Sequence, residues 1–225
     1  MTDPLISARN LGRVFSFGSE RITAIHGIDL EVYAGQLMII TGRSGSGKTT
    51  LLNILAGLDS PTSGNVYIRG HDLAQCTDME LTQLRRVDIG FVFQSFGLLP
   101  LLSAYENVEL PLRIAGWKRS EQPKRTEACL DLVGLKDRAN HRPYELSGGE
   151  RQRIAIARAI VHKPCIILAD EPTGELDSMT GAAIFKLLRE IVDKENVAII
   201  VTTHDTSVTP IADITIQLSD GTIVG

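Results

Sequence analysis

The sequence predicts an α/β fold: a mixed β core that is parallel at its centre, an antiparallel β subdomain near the N-terminus, and an inserted α-helical subdomain. Three observations carry this. Residues 37–40, 165–169 and 197–201 are almost unbroken apolar runs of strand length, which suit strands covered on both faces, as in a parallel sheet. Ile28-Asp29-Leu30-Glu31-Val32 and Ile214-Thr215-Ile216-Gln217-Leu218 alternate instead, as expected of strands with one solvated face, a pattern more typical of antiparallel sheet. Apolar residues also recur at helical spacing, at Ile184, Leu187, Leu188 and Ile191, and at Leu51, Leu55 and Leu58 directly after a glycine-rich loop.

The remaining segments follow in order. Residues 103–134 read as helical but interrupted by Pro111, Gly116 and Pro123, and they lie between the glycine-rich loop and the next core strand, where an inserted subdomain belongs. Ile154, Ala157 and Val161 mark a further helix. The strand predicted at 214–218 runs to a turn at Asp220-Gly221. No internal repeat, low-complexity tract or flexible linker breaks the chain.

Composition narrows the class. The chain has 225 residues, 43% of them hydrophobic, enough for one domain with a substantial core. Its formal charge is −4, which gives no support to a nucleic-acid partner, since such binders carry a basic excess. The three cysteines, Cys76, Cys129 and Cys165, are widely spaced and form no CxxC pair, which fits reduced thiols rather than a disulfide framework or zinc site. No apolar stretch approaches the ~20 residues of a spanning helix, and Met1-Thr2-Asp3-Pro4 does not open a signal peptide.

Gly42-Arg43-Ser44-Gly45-Ser46-Gly47-Lys48-Thr49 matches G-x-x-x-x-G-K-[ST] between an apolar strand and a helical pattern. Its glycines permit the tight turn that converges successive N–H groups on a phosphate, and the following helix adds its positive end. Lys48 is placed to bridge β- and γ-phosphates and the Thr49 hydroxyl to ligate Mg²⁺, with Thr50 adjoining the same nucleotide contacts. Asp170 and Glu171 close the apolar run at 165–169, at the carboxyl edge where parallel sheets bind ligands. Asp170 suits Mg²⁺ coordination, directly or through water. Glu171 points differently and suits orienting and deprotonating an attacking water. Two acids solvating a strand end are the bland alternative, and the phosphate loop weighs against it.

Leu146-Ser147-Gly148-Gly149-Glu150-Arg151-Gln152 opens another helix. Ser147 and Glu150 form a capping box that needs no ligand. Gly148 and Gly149 make a poor helix start for conformational reasons, and read as a place where a bulky anion approaches the backbone closely.

Together these segments resemble the ATP-binding subunits of ABC transporters, over essentially the whole chain: the loop at 42–49, Gln94, the signature at 146–152, Asp170-Glu171, Gly174-Glu175-Leu176-Asp177, and His204. The resemblance implies a P-loop NTPase fold of ABC type. It makes residues 1–225 a single ATP-binding domain, with the helical subdomain at about 95–160. It implies an ATPase using ATP and Mg²⁺ that pairs with a second copy of itself. The Ser147-Gly148-Gly149-Glu150 tip of one copy then meets the γ-phosphate on the loop of the other, so each chain carries half of each of two sites.

By the same resemblance Gln94 contacts Mg²⁺ and water and links the site to the helical subdomain. His204 is the switch histidine that holds γ-phosphate and water, and Asp177 is the dimer-interface aspartate. Phe15 stacks on adenine, with Phe17 its rival and ordinary packing the alternative for either. The other histidines, His26, His71, His141 and His162, are expected at the surface. Two positions depart from the family pattern. Glu150 stands where the commonest signature has Gln, and Glu175 stands where relatives often have Asn or Ala, a change expected to tune dimerisation rather than abolish activity.

Residues 171–178, 90–94 and 106–111 are most similar to the branch of macrolide exporters, lipoprotein-release ATPases, haem and peptide exporters and cell-division ATPases. The end of the sequence at Gly225 leads us to expect no regulatory extension of the kind seen in many import ATPases. The implied partner is an integral-membrane permease, which places the chain peripherally on the cytoplasmic face of the membrane. Leu98, Leu99, Leu101 and Leu102 are candidate docking contacts for that permease, or else subdomain core. A cell-division ATPase regulating wall hydrolases and an import ATPase are the alternatives within the family. A GTPase would carry an N-K-x-D motif, which is not found, and a small-molecule kinase would lack the second glycine pair.

Overall fold

The computed structural model describes residues 3–224, the side chain of Phe17 excepted. Strands β1 (Ile6–Phe17) and β2 (Glu20–Val32) form a long hairpin, followed by β3 (Leu37–Thr41), helix α1 (Lys48–Leu55), β4 (Ser63–Ile68) and the short β5 (His71–Asp72). Helix α2 (Asp78–Val87) leads into β6 (Ile89–Val92), and α3 (Ala104–Ile114), α4 (Gln122–Leu132) and α5 (Gly148–Ile160) come next. The chain then forms β7 (Ile166–Asp170), α6 (Ser178–Glu195), β8 (Ala198–Thr203), β9 (Ile214–Ser219) and β10 (Thr222–Ile223).

Two sheets organise these elements. One is antiparallel, in the order β2-β1-β4-β5; the other runs β10-β9-β3-β8-β7-β6. From β9 to β6 every neighbour in the second sheet is parallel, and only β10 runs against β9. Odd and even residues of its central strands enter different apolar layers. Leu37, Ile39, Ile167, Ala169, Ile199 and Val201 pack with α3, α5 and α6 residues such as Val108, Ile156 and Leu188. Met38, Ile40, Ile166, Leu168 and Ile200 pack with Leu51, Leu52 and Leu55 of α1 and with Ile6, Ile28 and Val66 of the antiparallel sheet. Both faces are sealed, which is why these segments read as continuous apolar runs.

Four sequence expectations are corrected. The alternating 214–218 segment is not antiparallel to its core neighbour, because β9 pairs parallel to β3. Its alternation arises because Ile216 and Leu218 are buried while Thr215 and Gln217 stay exposed. Leu58 lies beyond α1 and is exposed. Pro111 does not break its helix: α3 carries it internally, between the fully buried Val108 and Leu112, so tertiary burial outweighs the lost backbone bond. Pro123 falls in the first turn of α4, where an amide N–H has no intrahelical use. Finally, His162 is a core residue and not a surface group, with Nε2 3.1 Å from the Ile89 carbonyl, and burial holds its imidazole below the usual histidine range.

Helix α5 lies tight against β6 at Gly90, where a Cβ would come within 2.2 Å of the Ala159 carbonyl oxygen. Gly90→Ala is therefore expected to destabilise the protein by about 2 kcal/mol or more, read from urea unfolding; a midpoint equal to that of the parent would show that the helix can slide away without cost.

Candidate active site

The loop from β3 to α1 is held by two left-handed glycines, Gly45 at φ +81° and Gly47 at φ +100°. A Cβ on Gly47 would lie 2.4 Å from the Ala24 carbonyl, and one on Gly42 2.4 Å from the Leu218 carbonyl, so the turn is pressed between the two sheets. Helices α2, α3, α5 and α6 begin with side-chain caps, whereas α1 and α4 have none. The uncapped first turn of α1 adjoins the glycine loop, where its N–H groups can take an acceptor from outside the chain.

Lys48 is 5% exposed, and its Nζ donates to the carbonyls of Gly42 at 2.9 Å and Arg43 at 3.1 Å. The same ammonium lies 3.3 Å from Glu171 Oε1, while Oε2 of Glu171 is 2.7 Å from Nδ1 of the exposed His204. Both oxygens of the carboxylate are therefore engaged. Glu171 adopts φ +44°, a left-handed conformation that costs a non-glycine residue about 1–3 kcal/mol. Its N–H donates to the Thr202 carbonyl at 3.0 Å, which holds it there.

Asp170 accepts from the Thr49 hydroxyl at 3.2 Å and the Thr202 hydroxyl at 2.6 Å. Thr202 is fully buried and was not singled out from the sequence; its signal is a hydroxyl at the end of an otherwise apolar strand. Oxygen-rich Thr49 and Asp170, with the Gln94 amide on the same cleft, form a donor set suited to Mg²⁺ completed by phosphate and water. Among the described residues no cluster of three or more His, Cys, Asp or Glu forms a self-sufficient metal site.

These groups open on a cleft of about 320 Å³ lined by Ser44, Gly45, Gly47, Lys48, Thr49, Thr50, Gln94 and Glu171, together with Ile22, Thr23 and Ala24 of β2. The three β2 residues lay outside the sequence reading. Ser46 is buried beneath the loop, and Arg43 is exposed and contributes its carbonyl to Lys48. Phe15 pairs in register with Ile22 at the cleft edge, and the Arg13 guanidinium stacks over its ring at 4.5 Å. The Phe17 side chain lies outside the described residues. Gln94 packs on Gly174, where a Cβ would meet Nε2 at 2.9 Å.

Residues 146–152 do not line this cleft. Ser147 Oγ accepts from the Glu150 N–H at 3.3 Å, and Glu150 Oε2 accepts from the Ser147 N–H at 2.8 Å. Gly149 is buried, and a Cβ there would meet Thr180 Cγ2 at 2.6 Å, so α6 already requires this glycine. Close approach of an anion is not needed to explain it. Asp177 caps α6, accepting from Thr180, and those bonds hold its carboxyl below the usual range.

Comparison with known proteins follows from this geometry. The sequence profile described as ABC transporter matches residues 25–174. The chain is 44% identical to the lipoprotein-releasing system ATP-binding protein LolD of Nitrobacter hamburgensis, covering 98% of this chain and 95% of that one. It is 46% identical to the macrolide export ATP-binding/permease protein MacB of Agrobacterium fabrum, covering 100% of this chain but only 34% of that longer protein. Among solved structures, an ATP-binding cassette of Methanocaldococcus jannaschii, a dimer in a post-hydrolysis state bound to ADP and Pi, superposes with a TM-score of 0.89. It is 43% identical, with 98% of this chain and 97% of that one covered.

The Ser147 N–H, and then its hydroxyl, hold the Glu150 carboxyl below the usual glutamate range. The charged form is the one stabilised. The cap's contribution is therefore complete above the unfolded value of ~4.3 and fades as pH falls through the lower folded value. Carbon-detected NMR titration is expected to place the Glu150 midpoint below ~4.3, and a midpoint at or above that value would remove the cap.

Proposed function

The chain belongs to the ABC transporter family, and from that premise we propose that it is the ATP-hydrolysing subunit of a membrane permease complex of the MacB or LolD type. Its fold is the P-loop NTPase fold of ABC ATP-binding cassettes. The observation that carries the reading is an incomplete site. The cleft gathers a phosphate loop, Gln94 and Glu171, with Asp170 and His204 bonded to its lining, while the serine–glycine helix tip does not line it. A second copy supplying that tip would complete each of two ATP sites, with two-fold symmetry. The dimeric ADP- and Pi-bound relative supports this arrangement.

The uncapped start of α1 receives the phosphates on its N–H groups, with Lys48 reaching the terminal ones. Mg²⁺ at Thr49, Asp170 and Gln94 would neutralise charge on the phosphate oxygens. Entry of a triphosphate draws Lys48 away from Glu171, which frees one carboxylate oxygen to orient and deprotonate the attacking water. His204, 2.7 Å from the other oxygen, holds the carboxylate on that side and reaches toward the γ-phosphate. Thr202 positions Asp170, and Phe15 offers adenine the ring face opposite Arg13.

Among the described residues no helix is long and apolar enough to cross a membrane. Residence at the cytoplasmic face therefore depends on the permease. A groove of about 310 Å³, lined in part by Phe91, Pro111, Ile114 and Ala159, is the proposed docking place. Leu99 and Leu101 are exposed and remain candidate docking contacts, whereas Leu98 packs on the core. The names of the full-length relatives favour macrolide-export or lipoprotein-release chemistry over the cell-division alternative.

Glu171→Gln is expected to bind ATP, to lower turnover by roughly 100-fold or more, and to accumulate as an ATP-bound dimer in size-exclusion chromatography. A variant that stays monomeric and fully active would reject Glu171 as the base. Lys48→Ala is expected to lose ATP affinity by on the order of 100-fold, read by titration with a fluorescent ATP analogue; unchanged affinity would remove Lys48 from the phosphate site.

A further inference from the structure

We propose that Arg138 is the positioning and charge-balancing residue of the Ser147–Glu150 tip, the group that lets a carboxylate stand beside a helix start that receives phosphate. This rests on the reading that the tip binds the γ-phosphate held by a second copy. Glu150 divides its oxygens: Oε2 accepts the Ser147 N–H at 2.8 Å, and Oε1 lies 3.4 Å from Arg138 Nε. Since the Ser147 bonds hold its pKa below the usual glutamate range, the carboxylate is charged at neutral pH. An uncompensated negative charge on the last residue of the tip would repel a triphosphate. The cations that face it are Arg138, from the preceding loop, and Arg153, on the same helix.

Arg138 is delivered by a fastened loop. Its carbonyl accepts the His141 N–H at 2.9 Å, and Nη1 lies 3.1 Å from His141 Nε2. The carbonyls of His141 and Ala139 in turn accept the first N–H groups of α3, from Ala104 at 2.7 Å and Tyr105 at 2.8 Å. The Arg138 side chain is 51% exposed, so in a free chain the pair is solvated and contributes little. Its effect emerges when a second copy excludes water from the tip and strengthens every charge interaction there. Arg138 thus acts through Glu150, and its substitution is felt in association rather than in folding.

A double-substitution cycle in Glu171→Gln protein, with Mg-ATP-driven association followed by sedimentation velocity over a salt series, tests this. R138Q is expected to weaken association on the order of tenfold, and R138K to recover most of the loss. Combined with E150Q, R138Q is expected to change association by less than about twofold, because the charge it balances is gone. The R138Q deficit also shrinks as salt rises. An equal deficit with and without E150Q would give Arg138 a merely structural role and overturn the proposal. Ser147→Arg in the same background separates the two readings. Association that survives it overturns the second-copy reading together with the proposal, whereas association lost with Ser147→Arg beside a null R138Q cycle overturns the proposal alone.

Discussion

Sealing β3, β7 and β8 between two apolar layers leaves these strands nowhere to place polar side chains except at their carboxyl ends. Thr41, Asp170, Thr202 and Thr203 all stand there. Once gathered, they must satisfy one another. Thr202, fully buried, gives its hydroxyl to Asp170 at 2.6 Å and its carbonyl to the Glu171 N–H at 3.0 Å. The second of these bonds holds Glu171 in its left-handed conformation, which turns its side chain away from the strand and toward Lys48 and His204. The acid pair is thus a consequence of how the sheet is buried, with its polar groups gathered at the carboxyl edge.

The same constraint explains what the sequence made legible. Strands covered on both faces print as unbroken apolar runs, and the phosphate loop prints as fixed glycine spacing, so the core and cleft could be read directly. Pairing direction could not be read. Alternation in 214–218 reports a solvated face, and β9 has one for lack of cover even though it runs parallel to β3. Helix α2 buries no residue fully, and its stripe at Leu81, Leu84 and Val87 is only partly covered. His162 looked like a surface group because a single histidine carries no period. Ile22, Thr23 and Ala24 reach the cleft through a hairpin whose register no local pattern announces. Gly149 was legible as a close approach, but the approaching group within the chain is Thr180.

Two helix starts in this chain have opposite needs. Helix α5 satisfies the N–H groups of Ser147 and Glu150 through their reciprocal box, so part of its first turn is capped without a ligand. Helix α1 has no side chain at its cap, because Gly47 must be glycine to fit against Ala24. On the proposed function, a phosphate at α1 would meet a helix start with no side-chain cap, whereas one at α5 would join a start already partly capped.

The loop that follows Gln94 ties the cleft to helices α5 and α3. Gln94 lines the cleft, and two residues later Phe96 is buried in a left-handed conformation at φ +63°. Arg158 of α5 donates to the Phe96 carbonyl at 3.0 Å and to that of Gly97, while Arg151 of the same helix stacks over the Phe96 ring at 4.8 Å. Further along, the buried Asn107 of α3 binds both the N–H and the carbonyl of Leu99, and the carbonyls of Leu102 and Ser103. A single loop is therefore tied at its beginning to the cleft, in its middle to the signature helix, and at its end to α3. Because each tie is a directed hydrogen bond or a stacked cation rather than a slack apolar contact, a shift of Gln94 by even a fraction of a hydrogen-bond length must be taken up by α5, by α3, or by rupture of one of these bonds. The segment carrying the exposed Leu99 and Leu101 lies inside that tied span. Force applied there has the same three outlets, one of which leads back to the helix whose tip carries Ser147 and Glu150.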